Sequence, residues 1–75
     1  MTYIPIPTPC YLDTCEFLGV INGKKRWRSD SGRLYEWDSL HGEIEVYNRR
    51  GKHIAVYDPE GNYKKDAVNG RKIDV

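Results

Sequence analysis

Residues 43–57 read EIEVYNRRGKHIAVY, with apolar and polar residues alternating on both sides of a turn-like segment at 49–51. Alternation over two short runs is typical of half-buried β-strands. A three-residue link that ends in glycine is typical of a hairpin turn whose last residue is left-handed. Such a turn pairs Asn48 with Lys52. In that register one face of the hairpin is apolar and holds the pairs Val46–Ile54 and Ile44–Val56.

The opposite face of this hairpin gathers polar and aromatic side chains. The same register predicts three pairs across it: Glu43 beside Tyr57, Glu45 beside Ala55, and Tyr47 beside His53. We therefore expect the acidic and aromatic groups of both strands on one surface, away from the apolar core.

Glycine-ended links recur at 30–32 (Asp-Ser-Gly) and at 59–61 (Pro-Glu-Gly). The proline of the second link presets the backbone for a turn. The first link pairs Trp27 with Tyr35 and Arg26 with Glu36. Together the three turns predict an antiparallel meander of four or five short strands.

Residues 1–23 differ from the rest, because they hold three of the four prolines and no Lys, Arg or His. We expect their start to be extended, since a residue that precedes proline avoids the helical region. Thr8 as N-cap, Pro9 in the first helical position and Gly19 as the stop predict a short helix over Pro9–Leu18 that covers the sheet. The predicted fold is mainly β (α+β): an N-terminal arm and helix over 1–23 and a β-domain over 24–75, divided at Asn22-Gly23 within one compact unit.

Composition narrows the class of protein. A chain of 75 residues permits one domain with a small core. No apolar stretch reaches the length of a membrane span, and no basic start followed by an apolar run indicates a secretory signal. Twelve Lys and Arg against eleven Asp and Glu give a charge of only +1, which by itself argues against a nucleic-acid partner. All twelve basic residues nevertheless lie within 24–75, so the near-neutral total conceals a basic rim around a local acidic cluster.

The two cysteines, Cys10 and Cys15, indicate free thiols in a reducing compartment more than a disulfide. A zinc site would need two further ligands, and the chain offers only His41 and His53. We expect no metal and no cofactor.

The segment EWDSLHGEIE at 36–45 packs four carboxylates and one histidine into ten residues. Histidine titrates nearest neutrality, so Asp38, His41 and Glu45 in one cluster suit proton transfer. The alternative is an acidic edge strand kept for solubility, with a histidine on the surface. A site for a hard cation ranks below acid–base chemistry.

The string YEWDS-x-HGE-x-E at 35–45 is long and composed of rare residues. Further positions extend the pattern from about Lys25 to Ile73: Arg26-Trp27, Asp30, Gly32-Arg33, Tyr47, Gly51, His53, Asp58-Pro59, Gly61-Asn62 and Arg71. In these positions the chain resembles the C-terminal cytotoxic domain of cloacin and the ribosome-cleaving colicins. The resemblance implies a strongly twisted antiparallel sheet with a short N-terminal helix.

The resemblance also implies a ribonuclease that cuts small-subunit ribosomal RNA in the decoding A-site and stops translation. The matching catalytic positions are Asp38, His41, Glu45 and Arg71. RNA cleavage without a metal needs a base for the 2′-hydroxyl, an acid for the leaving oxygen and a cation for the phosphorane. We assign Glu45 as base, His41 as acid oriented by Asp38, and Arg71 as phosphate clamp; base and acid could be exchanged.

RNA contacts are expected from the same surface. The expected RNA-binding residues are Glu43, Tyr47, His53, Tyr57, Arg26, Arg33 and Lys72. Ala55, opposite Glu45, would leave space for a flipped-out nucleotide. Cross-strand packing explains the aromatic residues equally well.

The partners implied are the ribosome and an acidic immunity or antitoxin protein, with no membrane. We expect a monomer or a heterodimer with that inhibitor. It would act in the bacterial cytoplasm, either as a free-standing toxin or as part of a larger secreted or delivered one. The alternatives are a non-catalytic small β-domain that binds ribosomal RNA or a protein, and an interaction module that docks through residues 1–23.

Overall fold

The computed structural model describes residues 3–75 and contains one antiparallel sheet whose six strands lie side by side in chain order. The strands are β1 (Glu16–Ile21), β2 (Lys24–Arg28), β3 (Leu34–Asp38), β4 (Glu43–Tyr47), β5 (His53–Tyr57) and β6 (Tyr63–Asp66). The prediction of a mainly β meander is confirmed, with six strands instead of four or five. Residues 1 and 2 of the predicted arm lie outside the described residues. Between residues 3 and 75 no helix is long and apolar enough to cross a bilayer.

The three glycine-ended turns form as predicted. The last residue of each turn is left-handed, with φ of 87° at Gly32, 86° at Gly51 and 91° at Gly61. In each turn the glycine amide bonds back to the residue before the turn, at 2.8–3.0 Å. Only glycine adopts this conformation without a steric cost from a β-carbon, which is why the turns were readable from the sequence.

The first hairpin has the predicted register, with Trp27 opposite Tyr35 and Arg26 opposite Glu36. The middle hairpin keeps the predicted Tyr47–His53 pair, but a β-bulge at residue 54 shifts every later pair by one residue. The observed pairs are Val46–Ala55, Glu45–Val56 and Ile44–Tyr57. The predicted pairs Val46–Ile54, Ile44–Val56, Glu45–Ala55 and Glu43–Tyr57 are therefore wrong, because the bulge places two residues against one.

The predicted helix over Pro9–Leu18 is also wrong. Within residues 3–75, helical structure is limited to a 3₁₀ turn at Tyr11–Thr14, with Cys10 in place of Thr8 at its N-cap. The following segment, 16–21, forms β1 and pairs with β2. Asn22 and Gly23 explain the difference: with φ of 53° and 81° they make a two-residue turn of the kind that joins β-hairpins. Gly19, predicted as the helix stop, lies within β1.

One face of the sheet forms the core. It buries side chains from the four strands β2–β5: Trp27, Tyr35, Trp37, Ile44, Val46 and Ala55. The N-terminal segment covers this face with buried Cys10 and Leu12. Both cysteines are free thiols, as expected. Because the N-terminal segment occupies one face, the other face of the sheet remains open for a functional site.

Candidate active site

The open face carries a cleft of about 540 Å³ that brings the four predicted catalytic residues together. Asp38 comes from the end of β3, His41 from the β3–β4 turn, Glu45 from β4, and Arg71 from the C-terminal segment. Three of the predicted RNA-binding residues line the same cleft: Arg26, Tyr47 and Lys72. The cleft therefore combines carboxylates, an imidazole and a guanidinium on one surface.

Asp38 and His41 form one half of the site. An Asp38 carboxylate oxygen lies 2.8 Å from His41 Nδ1, and the other accepts hydrogen bonds from the amides of Leu40 and His41. Partial burial raises the pKa of Asp38, but the bonds from the His41 ring and from these amides outweigh it and lower the pKa overall. The carboxylate is ionised at neutral pH, so Nδ1 carries a proton and Nε2 is left to exchange one with a ligand.

Glu45 is held from two sides in the other half of the site. Its Oε1 accepts a hydrogen bond from Arg71 Nη1 at 3.0 Å, and its Oε2 lies 2.7 Å from His53 Nε2. The Glu45 side chain is 9% exposed and that of His53 is fully buried, whereas Arg71 is 44% exposed. His53 thus lies behind Glu45 and Arg71 in front of it.

Arg71 reaches this position because the C-terminal segment folds back onto β5. The Arg71 carbonyl accepts a hydrogen bond from the His53 amide at 3.0 Å, and the Ile73 amide donates to the Gly51 carbonyl at 2.8 Å. Lys52 and Lys72 form a further β-bridge. The backbone at Arg71 is therefore held against the β4–β5 hairpin by contacts at residues 71–73.

Arg26 and Glu36 form a buried ion pair in the lining of the cleft. Two guanidinium nitrogens of Arg26 donate to Glu36 Oε2 at 2.9 and 3.1 Å, and the third donates to the Asp74 carbonyl at 2.6 Å. Both side chains are 4% exposed. Arg26 thus binds the C-terminal segment, and its guanidinium is already engaged where an RNA contact was expected.

Tyr47 is almost fully buried in the cleft wall, with its ring edge-on to His53. Burial, together with the nearby carboxylates of Glu36 and Glu45, raises the pKa of Tyr47 to about 12. The phenol is therefore protonated at neutral pH and does not serve as a base.

Four predicted RNA-binding residues do not line the cleft. Tyr57 lies on the core face, packed against Tyr11 and Tyr35, because of the β-bulge. Arg33 donates to the Tyr57 hydroxyl at 3.1 Å and therefore also lies outside the cleft. The expectation that Tyr57 shares the surface of Glu45 is wrong, as is the expectation of space from Ala55, since Val56 stands opposite Glu45.

Glu43 and His53 are the other two, and both are buried. Glu43 bonds Lys64 at 2.6 Å and Lys65 at 3.3 Å. The hydrogen bond from Lys64 is the main reason why the pKa of Glu43 is lowered. Ligand atoms of Asp38, His41 and Glu43 lie within 4.8 Å of one another, so these three could hold a cation. The two lysines compete directly with a metal for Glu43.

Sequence reasoning did not find several residues that build the site. The His53–Glu45 contact joins the adjacent strands β4 and β5, whereas the contact of Val68 with His53 and the docking of 71–75 depend on the return of the C-terminal segment. No local pattern signals that return. The predicted register did place Arg26 opposite Glu36. A positive and a negative side chain paired across two central strands indicate a buried ion pair.

The small antiparallel sheet with this cleft is that of a cytotoxic domain of the cloacin and colicin type, as comparison of the sequence shows. The chain belongs to the Cytotoxic family, whose model matches residues 19–74. Colicin E3 of Escherichia coli is 51% identical over 53 residues, which are 67% of this chain and 10% of that colicin. Colicin-E6 of E. coli is 49% identical over 55 residues, which are 68% of this chain and 10% of that colicin. Cloacin of E. coli is 49% identical over 41 residues, which are 51% of this chain and 7% of cloacin. The chain thus spans about a tenth of the length of these relatives.

Proposed function

We propose that this domain is a ribonuclease toxin that cleaves small-subunit ribosomal RNA at the decoding A-site and stops translation. The observation that carries the proposal is the meeting of Asp38, His41, Glu45 and Arg71 in one cleft. Membership of the Cytotoxic family supports it. Transesterification of RNA requires a general base, a general acid and a cation that stabilises the phosphorane, and these residues supply all three.

Glu45 removes the proton from the 2′-hydroxyl of the target nucleotide. The 2′-oxygen attacks the adjacent phosphorus, and the bond from phosphorus to the 5′-oxygen of the next nucleotide breaks. His41 donates its Nε2 proton to that leaving oxygen, while the ionised Asp38 at 2.8 Å stabilises the positive charge on the ring before transfer. The products are a 2′,3′-cyclic phosphate and a 5′-hydroxyl. The reverse assignment of base and acid uses the same two side chains.

Arg71 stabilises the additional negative charge on the phosphorane. Its side chain is more exposed than that of His53, the other partner of Glu45, and Lys24 and Lys72 line the same cleft. Base, acid and cation are then all supplied by the chain, so the reaction needs no metal ion. The exposed lysines provide the phosphate contacts that attract RNA.

The ribosome is the target in this proposal, reached in the bacterial cytoplasm after delivery as part of a larger toxin. An acidic immunity protein would neutralise the domain in the producing cell, as a heterodimer with an otherwise monomeric toxin. The charge distribution supports such a partner, since every basic residue lies within 24–75.

Incubation of the purified domain with bacterial ribosomes tests the proposal. We expect one short 3′ fragment of small-subunit RNA, with a 5′-hydroxyl end, and the same yield in the presence of EDTA. Glu45→Gln and His41→Ala should abolish the fragment without preventing ribosome binding. Intact RNA with translating ribosomes would reject the enzyme in favour of a binding domain, and loss of cleavage in EDTA would require a metal.

A further inference from the structure

We propose that His53 is a positioning residue that anchors one oxygen of Glu45, so that the other oxygen, Oε1, receives the substrate proton once Arg71 moves to the phosphate. This inference rests on the proposed function and assigns a role to a buried histidine that does not touch RNA. It also replaces the expectation that His53 is itself an RNA contact.

The hydrogen bonds of His53 determine its tautomer. The Val68 amide donates to His53 Nδ1 at 2.8 Å, so Nδ1 presents its lone pair and carries no proton. The ring proton then lies on Nε2, which faces Glu45 Oε2 at 2.7 Å. A doubly protonated ring would direct an N–H group against the Val68 N–H group. His53 is therefore neutral and donates to Glu45.

The two oxygens of Glu45 consequently differ in how easily they lose their partners. Oε2 is bonded to a fully buried ring whose other nitrogen accepts a hydrogen bond from the Val68 amide. Oε1 is bonded to Arg71, which is 44% exposed and lines the cleft. A phosphate that enters the cleft competes for the guanidinium with bidentate geometry. Oε1 is then released beside the substrate while Oε2 stays anchored.

Anchoring matters because a carboxylate rotates about its terminal bond, and a base must hold one lone pair on the line of proton transfer. A fixed supporting hydrogen bond removes that rotation before the substrate arrives. Asp38 orients His41, which lines the same cleft, in the same manner. The site would then contain two oriented pairs, one for each proton transfer.

Two substitutions at one position separate this role from simple packing. The amide of His53→Gln reaches as far as Nε2 and can donate to Glu45. The shorter side chain of His53→Asn places its oxygen near Nδ1, so it can accept from Val68 but cannot reach Glu45. We expect His53→Gln to retain cleavage within about tenfold, and His53→Asn to lose about 100-fold in kcat, with KM for ribosomes changed little in either.

Equal losses in both folded variants, or greater activity in His53→Asn, would overturn the positioning role. Circular dichroism melts establish which variants are folded at the assay temperature. A second measurement does not depend on activity: long-range ¹H–¹⁵N spectra of the unmodified domain report histidine tautomers. We expect His53 protonated only at Nε2 at neutral pH. A charged ring or an Nδ1–H tautomer would refute the inference even if ribosomes are cleaved, whereas an inactive domain with the expected tautomer would count against the proposed function alone.

Discussion

Gly51 and Ile73 are in direct backbone contact: the Ile73 amide donates to the Gly51 carbonyl at 2.8 Å, and a β-carbon on Gly51 would overlap the Ile73 carbonyl oxygen. The turn between β4 and β5 thus holds the C-terminal segment that carries Arg71. Glycine is required here twice, for the positive φ of the turn and for this close approach.

Gly51→Ala should therefore displace the C-terminal segment and remove Arg71 from the cleft. Gly23→Ala is a matched control, because Gly23 also has a positive φ but nothing lies within 4 Å of an added β-carbon. We expect Gly23→Ala to cost about 1 kcal/mol of unfolding free energy, and Gly51→Ala to cost more and to abolish cleavage. Urea unfolding and the ribosome assay measure the two effects. Equal unfolding free energies and equal cleavage in the two variants would show that the Gly51–Ile73 contact is not needed.

Two arginines of β2 offer a direct test of burial. Arg26 and Glu36 are each 4% exposed, whereas Arg28 and its partner Glu16 are about half exposed. Arg26→Ala leaves a buried carboxylate unpaired and frees the Asp74 carbonyl, so it should cost about 3–5 kcal/mol. Arg28→Ala should cost less than about 1 kcal/mol. The double variant Arg26→Met/Glu36→Leu should recover much of the loss, and a further loss in that variant would mean that the charges themselves stabilise the fold.

The N-terminal segment lies before the 19–74 stretch that matches the family, yet it contributes to the core. Leu12 is 2% exposed and packs under the sheet, whereas Leu40 is 56% exposed. Leu12→Ala should lower the unfolding free energy by about 2–5 kcal/mol through transfer and cavity costs, and Leu40→Ala should change it little. Thermal melts of both variants measure this. Similar melting temperatures for the two would show that the segment is not part of the folded unit.

Local chemistry explains which parts of this structure could be predicted. The left-handed glycines of the three turns, and the first hairpin register, follow from residue type and alternation alone. The β-bulge at Ile54 leaves no such mark, since Ile54 fits a regular strand equally well. At 9–18 the local pattern of Thr8, Pro9 and Gly19 favours a helix, but the turn at Asn22-Gly23 and the pairing of β1 with β2 place most of this region in a hairpin.

The residues of the candidate site also divide into those that the local sequence predicts and those that it does not. Asp38, His41 and Glu45 could be grouped because they are close in sequence, at the end of β3, in the following turn and in β4. Arg71 was placed by resemblance to the family, and nothing in the sequence around it predicts its position in the fold. His53 could be assigned to the correct face but not to its depth, because the segment that buries it returns from residues 67–73.

The last prediction concerns Glu43, which joins β4 to the edge strand β6 through Lys64 and Lys65. The hydrogen bond from Lys64 lowers the pKa of Glu43 in the folded protein relative to the unfolded chain, where a glutamate has a pKa of about 4.3. A lowered folded-state pKa stabilises the fold above the unfolded value, and the contribution is lost as the pH falls through the folded value. Glu43→Gln should therefore be less stable than the unmodified domain at pH 7.

The expected difference is about 1–2 kcal/mol at neutral pH, and it should shrink steadily in acid, below the unfolded pKa. Urea unfolding of both proteins across this range measures it. Glu60→Gln, in the exposed β5–β6 turn, is the control and should follow the unmodified protein at every pH. A Glu43→Gln difference that stays constant in acid would show that Glu43 stabilises the sheet by packing, because the loss of a charged hydrogen bond to the lysines must disappear once the carboxylate is protonated.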